Sequence, residues 1–81
     1  MLRAEVSLYP LNTKKSTQII KDSLGTLLQY GIKYEAGDLS SQLEGEADQI
    51  WKGLQRLFEE AEEQTDEVSM VVKVSNHHEE K

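Results

Sequence analysis

Residues 2–9, with the sequence LRAEVSLY, alternate apolar and polar side chains along their whole length. A period of two is typical of a strand that buries one face and exposes the other. Pro10 follows and has no amide hydrogen to donate, so we predict that the first strand ends at Tyr9. The strand's polar row is left for water, a second subunit or a ligand, and consists of Arg3, Glu5, Ser7 and Tyr9.

The rest of the chain predicts two helices and three further strands, in the order helix 16–30, strand 32–36, strand 39–44, helix 46–64 and strand 67–75. The order β-α-β-β-α-β, with right-handed crossovers, predicts an α+β fold. We expect a ferredoxin-like βαββαβ sandwich, with a four-stranded antiparallel sheet and two helices on one face. Residues 1–76 are predicted to form a single domain, and residues 77–81 a polar C-terminal tail.

Both helices contain features that predict close packing. Gly25 and Gly53 lie inside helical patterns, where glycine is unfavourable unless the backbone approaches a neighbour closely. The second helix carries apolar side chains at helical spacing, and we expect all of them to face the core: Ala47, Ile50, Trp51, Leu54, Leu57, Phe58 and Ala61.

Composition excludes several classes of partner. The net charge is −6 and the nine basic residues are scattered, whereas nucleic-acid binding needs clustered lysine and arginine. No apolar run approaches the roughly 20 residues of a membrane span, so no membrane insertion is expected. The absence of cysteine excludes disulfides and thiolate metal sites. Together with the absence of a signal-like apolar segment, it predicts a cytoplasmic protein.

Catalysis has little support in the sequence. Nucleophilic catalysis usually needs a base beside a serine or cysteine. The two histidines, His77 and His78, are adjacent in the polar tail, and adjacent side chains of an extended chain point apart. We therefore expect neither an enzyme nor a metal site.

Two helices cover only one side of the sheet, so the other side is free to pack against a second subunit, with a polar pocket at its rim. Strands one and three are expected to be neighbours at the centre of the sheet, which brings their polar groups together. Hydroxyls, an amide and loop backbone can hydrogen-bond the edge of an aminopyrimidine, and an aromatic ring can cover its face. A nearby carboxylate favours a cationic ligand. Ordinary strand and turn chemistry is the alternative interpretation of these residues. The candidate ligand-binding residues are Ser7, Tyr9, Leu11, Asn12, Ser40, Ser41 and Glu44.

Three segments carry a family resemblance: SLYPLN at residues 7–12, SQLEGEAD at residues 41–48, and LFEEAEEQT at residues 57–65, which runs on to SMVVKVS at residues 69–75. On these segments the chain resembles the YkoF-type thiamine/hydroxymethylpyrimidine-binding family. The resemblance implies ferredoxin-like repeats and non-catalytic binding of thiamine or its hydroxymethylpyrimidine moiety, with no other cofactor. A role in thiamine transport, salvage or sensing follows from the same resemblance.

The founding member of the family looks like two repeats in one chain, whereas this chain resembles one repeat and is similar in frame to related single-repeat thiamine-binding proteins. The resemblance therefore implies a homodimer in place of the tandem pair, with a tetramer left open. The alternative is a structural or regulatory module that acts through subunit association and has no small-molecule ligand, because fold by itself does not imply function.

Overall fold

The computed structural model describes residues 1–76, and the predicted tail at 77–81, with both histidines, lies outside the described residues. The elements are β1 (Leu2–Leu11), α1 (Ser16–Gly25), a 3-10 helix (Thr26–Tyr30), β2 (Lys33–Ala36), β3 (Ser41–Gly45), α2 (Ala47–Gln64) and β4 (Glu67–Ser75). The four strands form one sheet in the order β2-β3-β1-β4, and all neighbours are antiparallel. This arrangement confirms the predicted ferredoxin-like sandwich.

The core lies between the sheet and the two helices. Ala4 and Val6 of β1 are buried, and Leu43 of β3 lies opposite Ala4 on the same face. They pack in one cluster with apolar side chains of the helical layer, which include Leu24, Leu27, Ile50, Leu54 and Leu57. The apolar row of residues 2–9 therefore faces the helices, as its alternation predicts.

The first strand is longer than predicted and passes through the proline. Pro10 lies opposite Val68 and Leu11 lies opposite Glu67, so β1 ends at Leu11. Pairing with β3 stops at Val6, which leaves one side of β1 without a neighbouring strand beyond that residue. A strand with one open side tolerates a residue that lacks an amide hydrogen, because that hydrogen has no required partner there.

The third strand begins two residues later than predicted. A strand from residue 39 would place Leu39 on the same face as buried Leu43, but Leu39 is 88% exposed. Residues 37–40 form a four-residue hairpin loop, in which the Gly37 amide donates to the Ser40 carbonyl at 2.9 Å. The loop's own hydrogen bond holds this segment out of the ladder, and the strand begins at Ser41.

The first helix was predicted to be continuous over residues 16–30, but its α-helical part ends at Gly25. The Thr26 hydroxyl donates to the Ser23 carbonyl at 2.6 Å. Such back-bonding by threonine competes with the regular ladder and accompanies the change to 3-10 geometry. The segment ends at Gly31, whose φ of 70° is the left-handed geometry that glycine adopts readily. Within residues 1–76, no helix is long and apolar enough to cross a membrane.

The two helical glycines have different surroundings. A Cβ added at Gly53 would collide with the Ile32 side chain and lie 3.1 Å from Leu27 Cδ2, which confirms the predicted close contact. A Cβ added at Gly25 would meet nothing within 4 Å, so the same prediction is wrong there. Gly53 is therefore required by packing, whereas Gly25 is not.

The apolar stripe of α2 is only partly buried. Ile50, Leu54, Leu57 and Ala61 are in the core, but Trp51 is 56% exposed, contrary to prediction. Trp51 lies at the margin of the buried helix face, where it lines an open groove between α2 and β4 with Phe58 and Met70.

Candidate ligand-binding site

The face of the sheet opposite the helices is polar and largely paired with itself. Arg3 Nε lies 3.5 Å from Glu44 Oε2, and the Ser40 hydroxyl donates to Glu5 Oε2 at 2.9 Å. Val71 of β4 is an exposed apolar residue on this face. The strand alternation therefore places these polar groups as predicted, but several of them already have partners within the chain.

A pocket of about 260 Å³ opens where the hairpin loop meets β1 and α1; we call it the Tyr9–Ser41 pocket. Its apolar lining comes from β1, α1, α2 and the loop, and consists of Val6, Leu8, Ile20, Leu24, Leu39 and Leu57. Its polar lining consists of Tyr9, Asp38, Ser40 and Ser41. The structure thus brings three of the predicted site residues, Tyr9, Ser40 and Ser41, to one concave surface.

Ser41 contributes a hydroxyl to the inner part of this pocket. The residue is 7% exposed and lies opposite Val6 on the helix side of the sheet. Its side chain makes no hydrogen bond to any of the described residues 1–76. A hydroxyl beside an apolar surface and without a protein partner is able to donate to, or accept from, a bound molecule.

Two other predicted serines hold the hairpin loop in place. The Ser7 hydroxyl donates to the Leu39 carbonyl at 3.2 Å, and the Ser40 hydroxyl is engaged with Glu5. These bonds tie the loop to the exposed side of β1. Ser7 and Ser40 therefore fix the position of Asp38 and Leu39 at the rim of the pocket.

Leu11 is the last residue of β1 and Asn12 follows it, so both lie beside the start of β4. The Leu11 carbonyl accepts a hydrogen bond from the Thr65 hydroxyl at 3.2 Å, and the Asn12 side-chain amide donates to Glu67. Asn12 has a φ of 55°, a left-handed conformation that asparagine adopts more readily than most residues. Neither residue lines the Tyr9–Ser41 pocket, and both fasten the β1–β4 end of the sheet.

Glu44 lies in a different place from the other candidates. It lines a more open depression of about 440 Å³ together with Arg3 and Lys33, its neighbours on the exposed sheet face. Arg3 is the partner of Glu44 across the sheet and is six residues from Tyr9 along β1, which is about 20 Å in an extended strand. The structure therefore separates Glu44 from Tyr9, and the two do not line one site.

The match to known sequences covers almost the whole chain. The model of the YkoF-related family matches residues 2–77. The chain belongs to the YkoF-related family. No curated protein sequence matches it significantly.

Solved structures share the fold of this family member. A hypothetical protein from Methanocaldococcus jannaschii is similar with a TM-score of 0.86 at 25% identity, over 99% of this chain and 84% of that chain. A Thermotoga maritima protein assigned provisionally to thiamine biosynthesis or salvage has a TM-score of 0.80 at 17% identity, over 94% of this chain and 83% of that chain. A de novo designed ferredoxin-fold protein has a TM-score of 0.60 at 14% identity, over 99% of this chain and 96% of that chain.

Several pocket residues of this family member were not among the sequence-based candidates. Asp38 and Leu39 come from the hairpin loop, and Ile20 and Leu24 come from α1. The Gly37-Asp38 turn signal could have indicated Asp38, because an acidic loop tip beside a strand end is often at a site. Ile20 and Leu24 have the spacing of ordinary core residues, and only the packing of α1 shows that they also line a pocket.

Proposed function

We propose that this protein binds thiamine or its hydroxymethylpyrimidine moiety without transforming it, in thiamine transport, salvage or sensing. Membership of the YkoF-related family supports this proposal, as does the fold shared with the Thermotoga maritima protein assigned provisionally to thiamine biosynthesis or salvage. The observation that carries the proposal is the Tyr9–Ser41 pocket, with its apolar lining and its free hydroxyl.

The chemistry of the pocket suits an aminopyrimidine. Such a ring has two apolar faces, which Leu8 and Leu24 can contact, and a hydrogen-bonding edge. The Ser41 hydroxyl is available to donate to a ring nitrogen in the inner part of the pocket. Tyr9, which is 48% exposed, can lay its aromatic ring against the ligand at the rim. Small-molecule sites commonly combine such an apolar lining with a few polar groups that set orientation.

The size of the pocket favours one ring over two. Its volume of about 260 Å³ is below the common range of roughly 300–1,000 Å³ for ligand pockets. We infer that the pyrimidine of thiamine enters and that the cationic thiazolium stays at the rim. Asp38 is exposed at that rim, and its carboxylate attracts a positive charge.

Binding without turnover agrees with the available side chains. Residues 1–76 contain neither histidine nor cysteine, the groups that most often act as base and strong nucleophile. We therefore assign Ser41 a role in ligand recognition and not in nucleophilic attack.

Calorimetric titration with thiamine, hydroxymethylpyrimidine and hydroxyethylthiazole tests the proposed function. We expect thiamine and hydroxymethylpyrimidine to bind and the thiazole alcohol, which lacks the aminopyrimidine, not to bind. Backbone chemical shifts should move at Tyr9, Asp38 and Ser41. If folded protein shows neither heat nor shift changes at millimolar ligand, the proposal is wrong and the module acting through subunit association takes its place.

Asp38→Asn is expected to weaken thiamine binding by up to about fivefold, because exposed ion pairs contribute about 0.2–1 kcal/mol. Hydroxymethylpyrimidine lacks the thiazolium, so its affinity should change little. The comparison variant is Glu44→Gln, which removes the carboxylate of the open depression. If Glu44→Gln lowers thiamine affinity and Asp38→Asn does not, the ligand lies in that depression and our site is wrong.

A further inference from the structure

We propose that this protein has a second small-molecule site, a groove between α2 and β4 that binds an organic cation with an aromatic body. The groove shares no lining residue with the Tyr9–Ser41 pocket, and the inference does not rest on the proposed function. Three observations support it: the size and lining of the groove, an exposed aromatic wall, and negative charge at one end that is only partly paired.

The α2–β4 groove has the volume and the lining of a small-molecule site. Its volume is about 470 Å³, within the common range of roughly 300–1,000 Å³ for ligand pockets. Leu54 forms its buried floor, and the other apolar side chains that line it are only half-buried or exposed. The apolar lining consists of Trp51, Leu54 and Phe58 from α2 and of Met70 and Val72 from β4.

Trp51 and Phe58 form the aromatic wall of the groove. They are seven residues apart in α2, which is close to two helical turns, so their rings lie on one face of the helix. Trp51 is 56% exposed. The face of an aromatic ring carries partial negative charge and attracts a cation within about 6 Å, and tryptophan does so most strongly. The wall therefore favours a cationic ligand over a neutral ligand of the same shape.

The end of the groove nearest the C-terminus of α2 is negatively charged. Glu59 and Glu62 line it there. Glu59 accepts a hydrogen bond from the Gln55 side-chain amide at 3.1 Å and lies 3.9 Å from Arg56. Glu62, in contrast, forms no hydrogen bond or ion pair with any of the described residues 1–76. The C-terminus of a helix adds partial negative charge, and the last turn of α2 contains no basic residue, so a bound cation is stabilised at this end.

These positions specify the shape of the ligand. Helical side chains tilt toward the N-terminus of their helix, so the Glu62 side chain extends over the turn that contains Phe58. An aromatic ring that packs on Leu54 and Phe58 places an ammonium group, joined to it by a short alkyl chain, beside Glu62. The class of ligand is therefore an arylalkyl ammonium ion. An anion of the same shape meets the same carboxylates and is repelled.

Three compounds with a phenyl ring and a short alkyl chain test the charge preference. They are 3-phenylpropylamine, 3-phenylpropanol and 3-phenylpropanoate, which are cationic, neutral and anionic at neutral pH. Trp51 is the single tryptophan, so its fluorescence reports on the groove. We expect the amine to bind at least about threefold more tightly than the alcohol and about tenfold more tightly than the carboxylate. Equal affinities, tighter binding of the carboxylate, or no response to any of them would overturn the proposal.

Glu62→Gln and Glu63→Gln are a matched pair of variants. Each removes one carboxylate from the same turn of α2, but Glu63 lies outside the groove and pairs with Arg56 at 3.4 Å. We expect Glu62→Gln to weaken the binding of 3-phenylpropylamine about two- to fivefold and Glu63→Gln to leave it unchanged. Neither variant should alter the affinity for 3-phenylpropanol. Equal effects of the two variants on the amine would show that only the net charge matters and would contradict the site.

Backbone chemical shifts locate the bound 3-phenylpropylamine. We expect the amide signals of Trp51, Phe58 and Met70 to move and those of Tyr9 and Ser41 to stay in place. Movement at Tyr9 and Ser41 alone would put the amine in the Tyr9–Ser41 pocket and overturn the proposal. Trp51 emission that changes with protein concentration but not with the amine would assign the groove to a second copy of the chain, which also overturns it.

Discussion

Gly53→Ala should lower the free energy of unfolding by about 1–3 kcal/mol, the usual cost of inserting a methyl group into a well-packed core. The new Cβ would collide with Ile32 and lie 3.1 Å from Leu27 Cδ2. Both neighbours are buried and belong to the central cluster, so they cannot turn away into solvent. Urea unfolding followed by tryptophan fluorescence gives the free energy directly, because the chain has a single tryptophan.

Gly25→Ala is the matched control, in the other helix. Nothing lies within 4 Å of its added Cβ, and the backbone at φ −60° and ψ −27° suits alanine. Alanine also restricts the unfolded chain, so this variant should be as stable as the wild type or up to about 1 kcal/mol more stable. If Gly53→Ala and Gly25→Ala lower the free energy of unfolding equally, the close contact at Gly53 is not the cause of the loss.

Ser41→Val should weaken the binding of both hydroxymethylpyrimidine and thiamine by at least about tenfold. The substitution removes a hydrogen bond worth about 0.5–1.5 kcal/mol and places an additional methyl group in a pocket of about 260 Å³. Valine is well suited to a strand and Ser41 already lies among apolar side chains, so the fold should persist. Calorimetry of both ligands measures the loss.

Gln42→Val is the control on the same strand. Gln42 lies on the opposite face of β3 and outside the Tyr9–Ser41 pocket, so the affinity of either ligand should be unchanged. A folded Ser41→Val protein that binds both ligands as tightly as the wild type would show that the pocket is not the binding site.

The amino-acid pattern by itself was sufficient to predict the order of helices and strands and the ferredoxin-like fold. Alternation in residues 2–9 predicted which side chains of β1 are buried, and the burial of Ala4 and Val6 confirms it. The predicted end of the first helical segment at residue 30 is also correct, and the left-handed Gly31 follows it. These features depend on local geometry, the period of an element and the conformations that each residue allows, which neighbouring residues in the sequence specify.

Only the tertiary structure decided which candidate residues meet. Periodicity tells which way a side chain points from its own element, but not how far along a neighbouring element its partner lies. For this reason the pattern placed Glu44 and Tyr9 together, whereas the β1–β3 register holds Glu44 against Arg3 at the other end of the strand. The same limit applies to Trp51: its helical spacing indicated the core, but the residue lies at the margin of the helix face, beside an open groove between α2 and β4, and is 56% exposed.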